Sequence, residues 1–158
     1  MALYEMRKFV APEFIFGVGA RHRVGFYARN MRARRVLIVS DPGVIAAGWL
    51  QDVQHDLSEM GIESVVFKDL TPNPKDYEVM AGAAFYARER CDVIVALGGG
   101  SVIDCAKAIA AATFYDGDSW DLVIGKAAVT NALPIVTVLT LAATGSEMDP
   151  VGVISNIE

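Results

Sequence analysis

Three glycines in succession, Gly98-Gly99-Gly100, separate the apolar run Val93-Ile94-Val95-Ala96-Leu97 from a helical pattern running from Val102 to about Ala112. Without Cβ atoms the backbone can approach a ligand closely and adopt positive φ. The helix that follows presents unpaired N–H groups and its positive dipole end at the same point. Such a junction is a seat for an anion, and phosphate is its usual occupant. Ser101 is placed to add a hydroxyl at the helix N-cap, with Asp104 one turn inside and Lys107 one turn further. A plain strand-to-helix turn capped by serine would need one glycine, whereas three cost chain entropy. No Lys-Ser/Thr pair follows Gly100, so the loop is not of the GxxxxGK[ST] type.

Asp41 follows a second apolar run, Val36-Leu37-Ile38-Val39. A carboxylate there can accept hydrogen bonds from both ribose hydroxyls of an adenosine and repel a 2′-phosphate. It can equally cap the helix that Pro42 would start, and the two roles are compatible. Thr140 to Glu147 is dense in small and hydroxyl residues, suited to lying flat against a cofactor or to capping a helix. Gly17-Val18-Gly19 imitates a dinucleotide fingerprint, but His22 stands where its third glycine belongs, so the pair reads as a structural turn. His55 sits among Gln54 and Asp56 on a solvent-facing helix, and His22 in the basic run Arg21-His22-Arg23. Neither is assigned chemistry. Cys91 and Cys105 read as buried thiols acting as small hydrophobes, with no further metal ligands beside them.

The elements that must position these residues alternate. Short strands are expected at Phe14–Phe16, Val36–Val39, Ser64–Phe67, Val93–Leu97, Ile135–Leu139 and Val151–Ser155. Helices are expected over Ala20–Met31, from Pro42, along the face Trp49, Val53, Leu57 and Met60 with Gly61 as C-cap, over Lys75–Arg90, and over Val102–Ala112. Thr71-Pro72-Asn73-Pro74 reads as a rigid loop, because its prolines fix φ and push the residues before them into extended shapes. Asp116 to Thr130 reads as irregular. Strand, helix, strand with apolar strands predicts an α/β fold with a parallel sheet covered on both faces. Ligands of such sheets bind outside the carboxyl ends of the strands, where Asp41, the 71–74 loop, the glycines and Thr140 all fall.

The chain's 158 residues are enough for one domain with a real core. A hydrophobic share of 53% excludes disorder as the main state. A net charge of −5 argues against a nucleic-acid surface. The N-terminal residues carry no secretory pattern, and the longest apolar stretch, Ala132–Ala143, is too short to cross a membrane. A cytoplasmic location is the expectation. The end of the chain, with a strand pattern running into Asn156-Ile157-Glu158, reads as an interruption rather than a domain's close.

The blocks Phe16-Gly17-Val18-Gly19-Ala20, Ser40-Asp41-Pro42-Gly43, Thr71-Pro72-Asn73-Pro74, Gly98 to Lys107 and Thr140 to Glu147, in this order, resemble the N-terminal half of the iron-containing (group III) alcohol dehydrogenases. The resemblance covers nearly the whole chain. It implies a Rossmann-like dinucleotide-binding domain over residues 1–158, of the dehydroquinate synthase-like N-terminal type, without the family's helical metal domain. Gly98, Gly99, Gly100 and Ser101 would cradle the diphosphate. Asp41 would select NAD, Asn73 would reach the cofactor from its proline loop, and Asp104 would border the nicotinamide side. Thr140, Leu141, Thr144 and Ser146 would belong to a loop wrapping the cofactor. The first strand, Phe9 to Phe16, would pair with a second subunit to make a dimer.

Two departures complicate the cofactor. Leu141 stands where the family commonly has threonine, and Ala143 where it has glycine, a version more like the NADP-using butanol dehydrogenase branch. Asp41 resembles the NAD-using branch. Its charge acts directly on the discriminating phosphate, so NAD is expected and NADP is the alternative. The family holds its metal through one aspartate and three histidines on the second domain, so iron or zinc would enter only a full-length version. No catalytic or metal-ligating residue is therefore assigned, and the chain alone is expected to bind cofactor without turnover. The rival is a stand-alone, non-catalytic nucleotide-binding or assembly module. A partner would then cover an apolar face near Thr140 to Ile157. The zinc-using glycerol dehydrogenase and dehydroquinate synthase relatives share the glycine loop, but the contexts of Asn73 and Ser146-Glu147 fit the alcohol dehydrogenases better.

Overall fold

The computed structural model describes residues 12–157. Four strands, β1 (Arg35–Ser40), β2 (Glu63–Phe67), β3 (Val93–Gly98) and β4 (Ile135–Leu139), pair in parallel in the order β2–β1–β3–β4. The central pair is apolar along its length because both of its faces are covered. Leu37, Val39, Ile94 and Ala96 point into one core, and Val36, Ile38, Val93 and Val95 into another. Helices α1 (Val24–Asn30) and α3 (Trp49–Glu59) close the second core. Helices α4 (Asp76–Glu89) and α5 (Gly100–Ala112) close the first, with Val79, Ile103 and Ile109 fully buried. The short α2 (Pro42–Ala46) and α6 (Ser119–Val123) complete the α-helices among the described residues.

This is the α/β architecture that the alternating pattern predicts. The connection from β1 runs to β2 on one side, and that from β3 runs to β4 on the other. The carboxyl ends of β1 and β3 therefore flank a topological switch point, where open parallel sheets bind ligands. Ser40 locks the two ends together there, its buried hydroxyl donating to the Leu97 carbonyl at 2.8 Å.

Several expectations are corrected. Phe14–Phe16 is not a strand: the segment has no strand partner among the described residues, and Phe16 is 91% exposed. The rest of the expected first strand, residues 9–11, lies outside the described residues. Val151–Ser155 is not a strand either. Only Ser155 bridges to Lys75, while the N–H of Val153 and the carbonyl of Val151 are taken by side chains of α5. The helix expected over Ala20–Met31 opens as a 3-10 turn, Ala20–Arg23. The stretch read as irregular holds α6, capped by Asp118. On α3 the buried side chains are Leu50, Val53 and Leu57, while Trp49 and Met60 are exposed. Gly61, at φ 70, closes that helix as expected.

Candidate functional site

Helix α5 begins at Gly100, two residues before the expected start, because the Gly99 carbonyl already accepts the Ile103 N–H at 3.1 Å. Gly99 is the N-cap, in extended conformation and without a side-chain cap. Ser101 thus lies inside the first turn and is not the cap. The first N–H groups of this 13-residue helix have no intrahelical acceptor, and no acidic residue stands in its first turn. A helix start of this kind is suited to receive an anion.

The three glycines serve different ends, and none has positive φ. A Cβ on Gly98 would stand 2.5 Å from Val102 Cγ2, so this glycine is needed by the fold itself. A Cβ on Gly100 would meet Thr144, standing 2.7 Å from its Cγ2, so the 140–145 loop lies directly over the start of α5. A Cβ on Gly99 would meet nothing within 4 Å. The space beside Gly99 is open, which is the room a diphosphate needs.

Asp41 lies across the switch point. Its Oδ1 accepts the Val44 N–H at 3.0 Å, so the capping role is real. Asp41 also lines a cleft of about 300 Å³ with Gly43, Val44, Ala47, Trp49 and Thr140, room enough for a nucleoside-sized group. Thr140 reaches that cleft because its N–H extends the ladder onto the Gly98 carbonyl at 3.1 Å. Trp49 was missed from the sequence because helical spacing assigned it to the core. It is instead 40% exposed, and the Arg21 guanidinium lies 5.7 Å from its ring centre. A larger depression, about 720 Å³, lies by His55, Ser58 and Glu63 at the opposite edge of the sheet, where β2 begins.

On the α5 side, the Asn73 N–H points to Ser101 Oγ at 3.4 Å, which brings the proline loop against the glycine-loop helix. Asp104 is buried and committed to its own chain. Its Oδ1 accepts from Ser146 Oγ, and its Oδ2 accepts from the Val153 N–H at 3.0 Å. Lys107, 3.5 Å from Asp104, donates to the carbonyls of Ser146 (2.9 Å), Asp149 (3.3 Å) and Val151, and to Asp149 Oδ1 at 3.1 Å. Lys107 therefore fastens the 146–151 segment. The Asp-x-x-Lys spacing, one helical turn, was the signal for it. Leu141 is 66% exposed.

A metal does not fit these residues. Among the described residues no three of His, Cys, Asp and Glu gather as a ligand set. His22 is paired with Asp56 at 3.0 Å, and His55 lies on the exposed side of α3. Both thiols are buried, and burial pushes Cys91 up to about 11 and Cys105 to about 12, so neither is a nucleophile near neutral pH.

The chain is 39% identical over 150 residues to NADH-dependent butanol dehydrogenase A of Clostridium acetobutylicum, covering 94% of this chain and 38% of that one. It is 39% identical over 159 residues to 1,3-propanediol dehydrogenase of Klebsiella pneumoniae, covering 98% and 41%. The crystal structure of NADH-dependent butanol dehydrogenase A from Thermotoga maritima superposes with a TM-score of 0.91 at 38% identity, over 96% of this chain and 39% of that one. The chain thus spans about two-fifths of the length of these relatives. The family model described as iron-containing alcohol dehydrogenase matches residues 11–158. A parallel sheet with an open, uncapped glycine turn at its switch point is what the described residues build, and the chain belongs to the iron-containing alcohol dehydrogenases.

Proposed function

We propose that this chain is the NAD-binding part of an alcohol dehydrogenase that moves a hydride between a primary alcohol or its aldehyde and the dinucleotide. The observation that carries the reading is the open space beside Gly99, at the uncapped start of α5, across the switch point from the Asp41 cleft. In this reading the N–H groups of Gly100, Ser101 and Val102 receive the diphosphate. Asp41 accepts from the adenosine ribose while keeping its bond to Val44. Thr140 and Thr144 close over the diphosphate from β4, and Asn73 stands over the other half of the molecule. The nicotinamide supplies the hydride acceptor, and the chain's own residues orient it and exclude water from it. The described residues offer no gathered set of metal ligands, so no step through a metal is assigned to them.

The charge on Asp41 favours NAD over NADP, whose 2′-phosphate would sit beside a carboxylate. The names of the butanol dehydrogenase relatives, both NADH-dependent, support the same choice. A cytoplasmic location fits this chemistry. A dimer through the first segment is also proposed, supported by the exposure of Phe14, Phe16 and Val18.

Calorimetry on the folded chain tests the reading. NAD is expected to bind with a millimolar or tighter dissociation constant, and NADP at least roughly tenfold more weakly, about 1.4 kcal/mol. Absence of heat with millimolar NAD removes the assignment. The second reading, a non-catalytic nucleotide-binding or assembly module, draws on the exposure of Val151, Val153 and Ile157, each about two-thirds open to solvent. Turnover of a primary alcohol by this chain alone would exclude it.

A further inference from the structure

The loop 71–75 stands beside the start of α5, and its prolines fix their own φ but not that of Asn73, which departs from the extended shape expected before a proline. Pro72 and Pro74 have no N–H to give, so the loop has three backbone donors. Asn73 sits at φ 56, a left-handed conformation that a non-glycine residue adopts at a cost. Its N–H is the donor directed at Ser101 Oγ. The other two donors go to one side chain. Glu78 Oε1 accepts the Thr71 N–H at 2.9 Å, and Oε2 accepts the Lys75 N–H at 2.7 Å. Glu78 is 3% exposed, a buried carboxylate held by two N–H groups at the positive end of α4.

Capping alone explains one of these bonds. Glu78 is the third residue of α4, and a glutamate there commonly reaches back to the N-cap N–H, here that of Lys75. The bond to Thr71 lies beyond any cap and gives the helix nothing. It closes the loop from its far end, so that one carboxylate brackets Pro72, Asn73 and Pro74. The Lys75 ammonium adds a bond to the Asn73 carbonyl at 2.8 Å from inside the bracket.

The loop's place gives this bracket a use. Helices α4 and α5 share one face of the sheet, and the Asp41 cleft lies toward α2 and α3 on the other side of the switch point. A dinucleotide with its adenosine at Asp41 and its diphosphate at Gly99 brings its remaining half to the 71–75 loop. We propose that Glu78 is a positioning residue for that half: by bonding both ends of the 71–75 loop it holds Asn73 against Ser101 as one wall of the dinucleotide site. The inference rests on the dinucleotide reading above and names a residue that the motifs alone do not single out.

The test compares NAD with ADP, which lacks the half in question, by calorimetry on this chain. Glu78→Gln keeps the size of the side chain but sets an NH₂ against one of the two N–H donors. NAD should then bind about tenfold more weakly while ADP stays within about twofold. Amide exchange at Asn73 and Lys75 should quicken together with that loss. Val79→Ala, next to it in the core, should lower the melting temperature and leave the NAD-to-ADP affinity ratio unchanged. If Glu78→Gln does not fold, Glu78→Asp, which keeps the charge but is one methylene shorter, should show the same selective loss in smaller measure. Equal weakening of NAD and ADP, or a loosened loop with NAD affinity intact, overturns the role of Glu78 and leaves the site reading standing. Failure of the wild-type chain to bind either ligand overturns both.

Discussion

Two loops cross the carboxyl edge of the sheet beside the glycine turn, and they are held in opposite ways. The 71–75 loop is fastened by Glu78, three to seven residues away in the chain. The 140–153 segment is fastened by Asp104 and Lys107, from 39 to 49 residues away. The first fastening is mainly local and forms as α4 forms, with one distant tie added when the Ser155 N–H donates to the Pro74 carbonyl at 2.9 Å. The second exists only when β4 has docked and α5 is complete. One wall of the proposed site is therefore built into its helix, and the other is assembled by tertiary folding. The second wall should be the first to open under stress.

The largest expected effect follows from Lys107→Ala. The substitution removes bonds to three carbonyls and Asp149, and leaves the buried Asp104 carboxylate without its neighbouring charge. Lys107 is only 20% exposed, so solvent compensates little. A loss of about 3 kcal/mol is expected in denaturant unfolding. Amide exchange should rise across 146–153 while the Thr71 amide stays protected. A loss below about 1 kcal/mol, or equal loosening of both loops, would mean that the two are not independently held.

Next comes Gly100→Ala. The new methyl would collide with the Thr144 side chain, at a cost of about 2 kcal/mol as the 140–145 loop is pushed off α5. Paired with Thr144→Ala, much of that cost should return, giving a coupling of about 1 kcal/mol in a double-mutant cycle. Strict additivity would place the loop elsewhere.

How much of this contrast could be read beforehand follows from the same distinction. The central strands were legible because Val36–Val39 and Val93–Leu97 are apolar without interruption, as strands buried on both faces must be. The glycine turn into α5 was legible from the glycines, though Ser101 was misplaced as cap because Gly99 can take the extended conformation itself. Glu78 was legible in principle: a glutamate at the third position of a helix behind a proline loop is a capping signal, and only its second bond was out of reach. Val151–Ser155 was not legible. Its alternation matches a half-buried strand, but its hydrogen bonds are claimed by Asp104 and Lys107, and residues so distant in sequence leave no mark on local pattern. Trp49 was hidden for a related reason, since helical spacing cannot tell a core face from a cleft lining.

Acid should separate the loops more gently. The Lys107 ammonium, and after it the Val151 N–H, hold the Asp149 carboxyl below the usual carboxylate range. A lowered pKa in the folded state means that the unfolded chain takes up the proton first as pH falls. The fastening is thus complete above the unfolded value of about 3.9 and is lost as pH drops below it, through the lower folded value. Exchange at the Val151 amide, corrected for its intrinsic pH dependence, should be constant from pH 7 to about pH 4 and rise below that. A rise beginning near neutrality would point to a different anchor.

The smallest effect on stability, and the sharpest on the proposed ligand, belongs to Gly99→Ala. Gly99 is extended, so alanine fits its backbone, and the added methyl meets no atom of either loop. Unfolding free energy should stay within about 0.5 kcal/mol of the parent, or improve slightly as the unfolded chain loses freedom. The same methyl would occupy the space assigned to the diphosphate. NAD and ADP should therefore both weaken, by roughly tenfold or more, the cost of one poorly accommodated group at a close contact. This is the reverse of the pattern expected for Lys107→Ala, where stability falls first. It also differs from Glu78→Gln, where only NAD suffers. An alanine variant that is as stable as its parent and binds NAD equally well would leave the gap between the two loops as a surface hollow with no phosphate in it.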